Sequence, residues 1–231
     1  MGDVETDRLN PRKDSWLFGG RPDEELRMRL PWLIAIVQVP FVFAFVWFAG
    51  WKMLAWYVAV LLSNAAYNQL GFKVRPVLDL VNQVGYLLIF VLASWLCEVP
   101  QLNTPAMVFS ALFAMQSHLF GQLMDFDEDR AAGRRSTAIT IGMIPAKRLL
   151  SLIMVVESIL AIAFFRGWYV AIFMLIGSLF FFADSVRGPR RYPTMFLKVF
   201  FVGWNLIVLG TMYFVWRNGV FLDAGNRFGL H

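Results

Sequence analysis

The sequence contains a single cysteine, Cys97, so no intrachain disulfide can form and dithiol redox chemistry is excluded. Its two histidines, His118 and His231, lie far apart, which leaves too few nitrogen and sulfur ligands for a zinc site. Charge is scarce too: only 16% of the 231 residues are Asp, Glu, Lys or Arg, where a soluble domain has about a quarter. The deficit is filled by apolar side chains, 58% of the total, and this excess argues for a protein dissolved in lipid. Residues 1–30 carry many charges and no apolar run, so they are not a signal peptide. "MGDVET" matches the myristoylation pattern in form, but a chain with many spans gains little from a lipid anchor.

Crossing the hydrocarbon takes roughly 20 mostly apolar residues in a helix. Seven segments meet that length: about 31–50, 52–70, 79–97, 105–124, 148–165, 168–184 and 196–216. The expected fold class is therefore all-α, a multi-pass transmembrane helix bundle in one domain spanning 1–231. Alternating these spans across the bilayer puts residues 1–30, 71–78, 125–148 and 185–198 on one side, together with 17 of the 21 Lys and Arg. By the positive-inside rule that side is cytoplasmic, the plasma membrane being the site in a prokaryote. The net charge of +5 follows from this bias, so no nucleic acid partner is needed to explain it.

What the bias does not explain is the acid. "LMDFDEDRAAGRRST" holds four carboxylates between Asp125 and Asp129. The stretch has an echo near the N-terminus: Asp3, Glu5, Asp7, Arg8, Arg12, Lys13 and Ser15 stand opposite Asp125, Asp127, Asp129, Arg130, Arg134, Arg135 and Thr137. An even number of spans separates the two clusters, so both emerge on the same side. At helical spacing each Asp-x-x-x-Asp puts two carboxylates on one face, about 5–6 Å apart. Such pairs repel unless a cation lies between them, and oxygen ligands alone select a hard ion such as Mg²⁺, commonly shared with substrate phosphates. The neighbouring arginines and lysines suit phosphate. The expected site is a Mg²⁺-bridged polyphosphate held between two acidic clusters at the membrane surface.

These residues resemble the UbiA superfamily of intramembrane prenyltransferases. "DFDEDRAAGRRSTAITIG" resembles its second Asp-rich motif, "DVETDRLNPRK" the latter half of its first, and "FKVRPVLDLVNQ" the Lys- and Arg-containing segment that leads into the family's fifth helix. The resemblance implies nine helices, of which this chain supplies the seven that follow the first motif. It departs from the pattern in two places. The Asn-Asp expected before Asp3 is absent, as in an N-terminally truncated chain, and "AAYNQLGF" replaces the Tyr-Ser-x-Pro-Pro-like stretch of carotenoid-type members.

The implied chemistry is Mg²⁺-dependent transfer of an isoprenyl group from a prenyl diphosphate to a hydrophobic acceptor in the bilayer. The acceptor is a carotenoid, quinone precursor or lipid, and the form of the second motif leans toward carotenoid elongation. By position, Asp125 and Asp129 would bind one ion, and Asp3 and Asp7 what remains of a second site. Lys73 and Arg75 would contact the diphosphate, with Arg130, Arg134 and Arg135 beside it. Asp79 is expected either in the site or as a helix cap. Asp127 and Glu128 are expected to ligate, to orient water or to face solvent.

Polar residues inside spans are costly and mark function by default. Asn64, Asn68, Asn82 and His118 sit toward the cytoplasmic ends and are expected to line the substrate cavity or to bond between helices. Glu157 lies deep in its span with no partner legible, and "RGPRRYP" reads as a phosphate contact or a plain basic loop. Two other readings compete. One is a transporter with a cytoplasmic divalent-ion site, which would more often carry acids at mid-membrane and broken helices in both halves. The other is a non-catalytic remnant of the same fold.

Overall fold

A computed structural model describes residues 8–17, 19–21, 23–165, 167–189 and 191–217. Among these residues the chain is mostly helical, with no strand, and seven long helical segments coincide with the seven expected spans. We number the α-helices α1 (Glu24–Ala49), α2 (Trp51–Asn68), α3 (Leu78–Val81), α4 (Leu88–Cys97), α5 (Thr104–Met124), α6 (Phe126–Ala131), α7 (Thr137–Ile141), α8 (Met143–Phe165), α9 (Trp168–Arg187) and α10 (Thr194–Arg217). A 3₁₀ segment, Asn82–Leu87, joins α3 to α4 into one span.

Five spans are long and apolar enough by composition to cross a membrane: those containing Met28–Ala49, Leu78–Cys97, Met143–Phe165, Trp168–Arg187 and Thr194–Tyr213. The two outside that set, α2 and α5, carry Asn64 and Asn68, and Gln116, His118 and Gln122. These side chains lower the hydropathy of the two helices; Gln116 and Gln122 are buried in the bundle, while Asn64 and Asn68 are exposed and bond carbonyls of their own helix. The outward faces are apolar, with Trp32, Phe43, Trp47 and Phe48 all exposed. Rings in such number are tolerable only against lipid, and the protein is integral to a membrane.

Local chemistry sets the boundaries. Asp23 caps α1 by accepting from the Leu26 amide at 2.7 Å, so the helix starts well before the apolar run and includes the charged residues from Glu24. Asn103 caps α5 in the same way at 3.0 Å, with Pro105 in the first turn. Gly50 alone separates α1 from α2, at φ 73°, a conformation open to glycine at no steric cost.

The core is formed by α5, α8 and α9, with α8 and α9 in the most extensive contact. Small residues let those two approach. Ser151 and Ser178 bond each other at 2.8 Å, and Ser158 donates to the Ala171 carbonyl at 2.8 Å. A Cβ on Gly177 would lie 2.2 Å from the Met154 methyl. Close packing and interhelical hydrogen bonds take the place of the hydrophobic effect in lipid.

A second close approach holds α2 against the 3₁₀ segment, where a Cβ on Gly85 would fall 2.2 Å from Ser63 Oγ and 3.2 Å from its Cβ. Gly85→Ala is expected to cost about 1–3 kcal/mol through overpacking. Ser63→Ala in the same chain should recover most of that. Thermal midpoints in detergent check it, and an additive double variant would contradict the contact.

Candidate active site

At one end of the bundle four loop segments converge: 8–17, 71–77, 125–142 and 188–193. The acidic stretch begins at the end of α5 and continues through α6, so Asp125 and Asp129 are held at helical spacing. Asp129 is 2% exposed and pairs with Arg134 at 3.2 Å. Glu128 is buried as well and accepts from Arg191 Nη2 at 3.1 Å, while the exposed Asp127 lies 3.7 Å from Arg191 Nε.

The N-terminal segment is brought against this stretch by Arg12, which donates to the Asp125 carboxylate and, at 2.9 Å, to the Met124 carbonyl. Asn10 Nδ2 reaches the same carboxylate at 3.2 Å. The two segments of the charge repeat are therefore neighbours in space. Asp3 and Asp7 lie outside the described residues.

Burial, with Asp129 and Glu128 close by, raises the Asp125 carboxyl above its ordinary range even though Arg12 acts against the shift. Carboxylates crowded in this way gain from a cation. No group of three metal-ligating side chains closes around an ion among the described residues. A hard ion that shares one or two carboxylates with a phosphate needs no such cage.

Below this stretch lies Asp79, expected among the catalytic groups or as a cap. It is fully buried at the start of α3, and both carboxylate oxygens are engaged. One accepts from Thr137 Oγ1 and, at 2.9 Å, from the Leu80 amide; the other accepts from the Thr137 amide and Gln122 Nε2, each at 2.7 Å. Gln122 completes the net by accepting from the Ala138 amide at 3.0 Å. Asp79 therefore offers no free lone pair to a ligand in this geometry, and it ties segment 71–83, α5 and α7 into one unit. Val77, next to it, is held at φ 70°, a strained value for a β-branched residue, with its amide donating to Thr137 Oγ1 at 2.7 Å.

The other expected residues divide by position. Lys73 is buried in a 3₁₀ turn, Phe72–Val74, and reaches Asn68 Oδ1 at 3.4 Å. Asn64, Asn68, Asn82 and His118 line one cavity of about 430 Å³ together with Trp56, Ser63, Tyr67 and Gln83. Arg75, Arg130 and Arg135 are exposed at the loop end. A second cavity of about 470 Å³ adjoins the first through Gln83, Tyr86, Ile89 and His118 and is lined chiefly by Phe90, Phe109, Phe113, Leu87 and Met212.

The loop expected as a phosphate contact or a plain basic loop has structure of its own. Lys147 Nζ pairs with Asp184 at 2.7 Å and lies 4.8 Å above the Tyr192 ring, whose hydroxyl donates to Asp184 at 2.5 Å. Burial and the Asp184 carboxylate push the Tyr192 phenol well above its usual range, so it stays a donor. This triad fixes the segment from which Arg191 reaches the acidic stretch.

The chain matches the UbiA prenyltransferase family over residues 1–206. It belongs to that family. Among curated UbiA-type relatives, two proteins of Corynebacterium glutamicum, both named lycopene elongase/hydratase, are 29% identical to this chain over 154 residues. The matched region is 64% of this chain and 53% of theirs, so the UbiA chain here spans about half the length of the relatives it matches. The solved structures yield no significant match.

Proposed function

We propose that this chain carries out prenyl transfer from an isoprenyl diphosphate to an apolar acceptor inside the membrane, with a carotenoid such as lycopene as the acceptor. The observation that carries the reading is the acidic stretch, crowded with carboxylates and arginines, standing at the loop end above two largely apolar cavities. Family membership supports the reaction class, and the names of the matched relatives support the acceptor.

In this reading the diphosphate lies at the cytoplasmic loop end. Asp125 and Asp129 would hold Mg²⁺ with it, and Asp3 and Asp7 would contribute from the N-terminal segment. The ion, when bound, neutralises charge on the diphosphate. Lys73 and Arg75 bind its oxygens, and Arg130, Arg134 and Arg135 add positive potential around it. Asn68, bonded to Lys73, orients that ammonium at the mouth of the first cavity. Asn64, Asn82 and His118 line the path of the isoprenyl chain, and the aromatic wall of the second cavity excludes water from the cation formed as the carbon–oxygen bond breaks.

The test incubates membranes bearing the protein with a radiolabelled prenyl diphosphate, lycopene and Mg²⁺. Asp125→Asn and Asp129→Asn are each expected to lower prenylated product about 100-fold, the scale for removing one electrostatic stabiliser of a transition state. Product unchanged in both variants, or unchanged in excess chelator, would refute the mechanism.

A further inference from the structure

The two cavities differ in character and meet at one side chain able to move a proton near neutrality. The first is edged by amides and reaches Lys73 through Asn68; the second is walled by rings. His118 on α5 lines both, and neither cavity has another His, Asp, Glu, Lys or Cys in its wall. Its ring is set edge-on to Tyr67, with centroids 5.9 Å apart at 76°. Among the described residues no hydrogen bond occupies its nitrogens. Tyr67 on α2 meets the ring, Tyr86 on the 3₁₀ segment lines both cavities with it, and the charges of Asp79 at the start of α3 and Arg134 in the acidic loop act on it.

Prenyl transfer to an alkene needs a proton acceptor where the chain joins the acceptor. The carbon–oxygen pair leaves with the diphosphate, and the alkene π pair forms the new carbon–carbon bond. A tertiary carbocation remains on the acceptor. It is discharged by loss of a proton from the adjacent carbon, which restores an alkene, or by capture of water with loss of one of that water's protons, which gives an alcohol. Either way one proton must leave.

Resting on the transferase reading above, we infer that His118 is the catalytic base of this reaction, taking on an imidazole nitrogen the proton released when the carbocation on an alkene acceptor is quenched. The imidazolium then gives that proton to water entering from the loop end. The position suits the role: His118 belongs to both cavity walls, so a proton taken beside the aromatic pocket can pass out through the amide-edged one.

The experiment uses membranes carrying the full chain, a radiolabelled prenyl diphosphate and lycopene, and follows diphosphate release and lycopene-derived product separately. In His118→Ala the product is expected to fall about 100-fold, the lower range for loss of a general base. Diphosphate release should persist, the label appearing as prenyl alcohol, and added imidazole should restore part of the product. His118→Gln, which keeps a polar side chain of similar reach, should show the same split without rescue. Wild-type product in both variants would overturn the inference. So would a parallel loss of product and release that imidazole does not relieve. If the wild-type protein itself releases no diphosphate, the transferase reading fails and this inference with it; release intact with product unaffected by His118 defeats the inference alone.

Discussion

Asp79→Ala is expected to lower the thermal midpoint of the protein in detergent by about 10 °C and to abolish prenyl transfer. The substitution removes the acceptor of four hydrogen bonds in a site with no exposure. The Thr137 amide and the Gln122 side-chain amide are then left buried without their partners. Each orphaned donor costs about 1–3 kcal/mol, giving about 2–6 kcal/mol together. For a chain of this size each kcal/mol shifts the midpoint by about 2–4 °C. Activity should fall with stability because Thr137 closes the loop that carries Asp125 and Asp129. Asp79→Asn keeps the shape but turns an NH₂ toward a donor. Adding Gln122→Glu restores an acceptor at that contact, so the pair should recover part of the loss. A midpoint for Asp79→Ala within about 2 °C of the wild type would contradict the assignment of Asp79 as the tie between these segments, since one lost donor pair alone exceeds that.

That tie also marks where reading the sequence stopped. Asp79 follows Pro76 at the start of a span, and both the cap and the catalytic expectation rested on that local position. What decides its role is Thr137, far along the chain, and Gln122, on another span. The helices were legible because lipid demands an apolar run of known length: seven long helical segments fall where the runs do, and five of them are long and apolar enough to cross a membrane. Their ends moved where capping side chains such as Asp23 extend a helix past its apolar run. The kinship of the two charged segments was legible from their common register. That Arg12 reaches across to Asp125 was not, because register pairs Arg12 with Arg134 and is silent on which carboxylate each one meets. The serines that join α8 to α9 escaped notice because a hydroxyl scarcely lowers hydropathy.

The basic loop before α10 is the widest gap between expectation and structure, and it carries the second large effect. Lys147→Met is expected to destabilise the protein by about 3–5 kcal/mol, because it leaves the Asp184 carboxylate buried with its countercharge gone. The two side chains are 2% and 8% exposed, so solvent offers little compensation. Gly188 makes the arrangement tight: a Cβ there would lie 1.6 Å from Asp184 Oδ1. Replacing both charges, as Lys147→Met with Asp184→Leu, removes the uncompensated ion, and adding Tyr192→Phe removes the hydroxyl that has lost its acceptor. The triple variant should regain most of the wild-type midpoint, since well-packed apolar groups commonly match a buried ion pair in stability. It should not regain full activity. Without the Lys147–Asp184–Tyr192 contacts the segment bearing Arg191 is no longer held, and Glu128 loses the guanidinium that meets it at 3.1 Å. A triple variant as unstable as Lys147→Met alone would mean that the cost lies in packing rather than charge. One that recovers both stability and transfer would mean that Arg191 needs no such support.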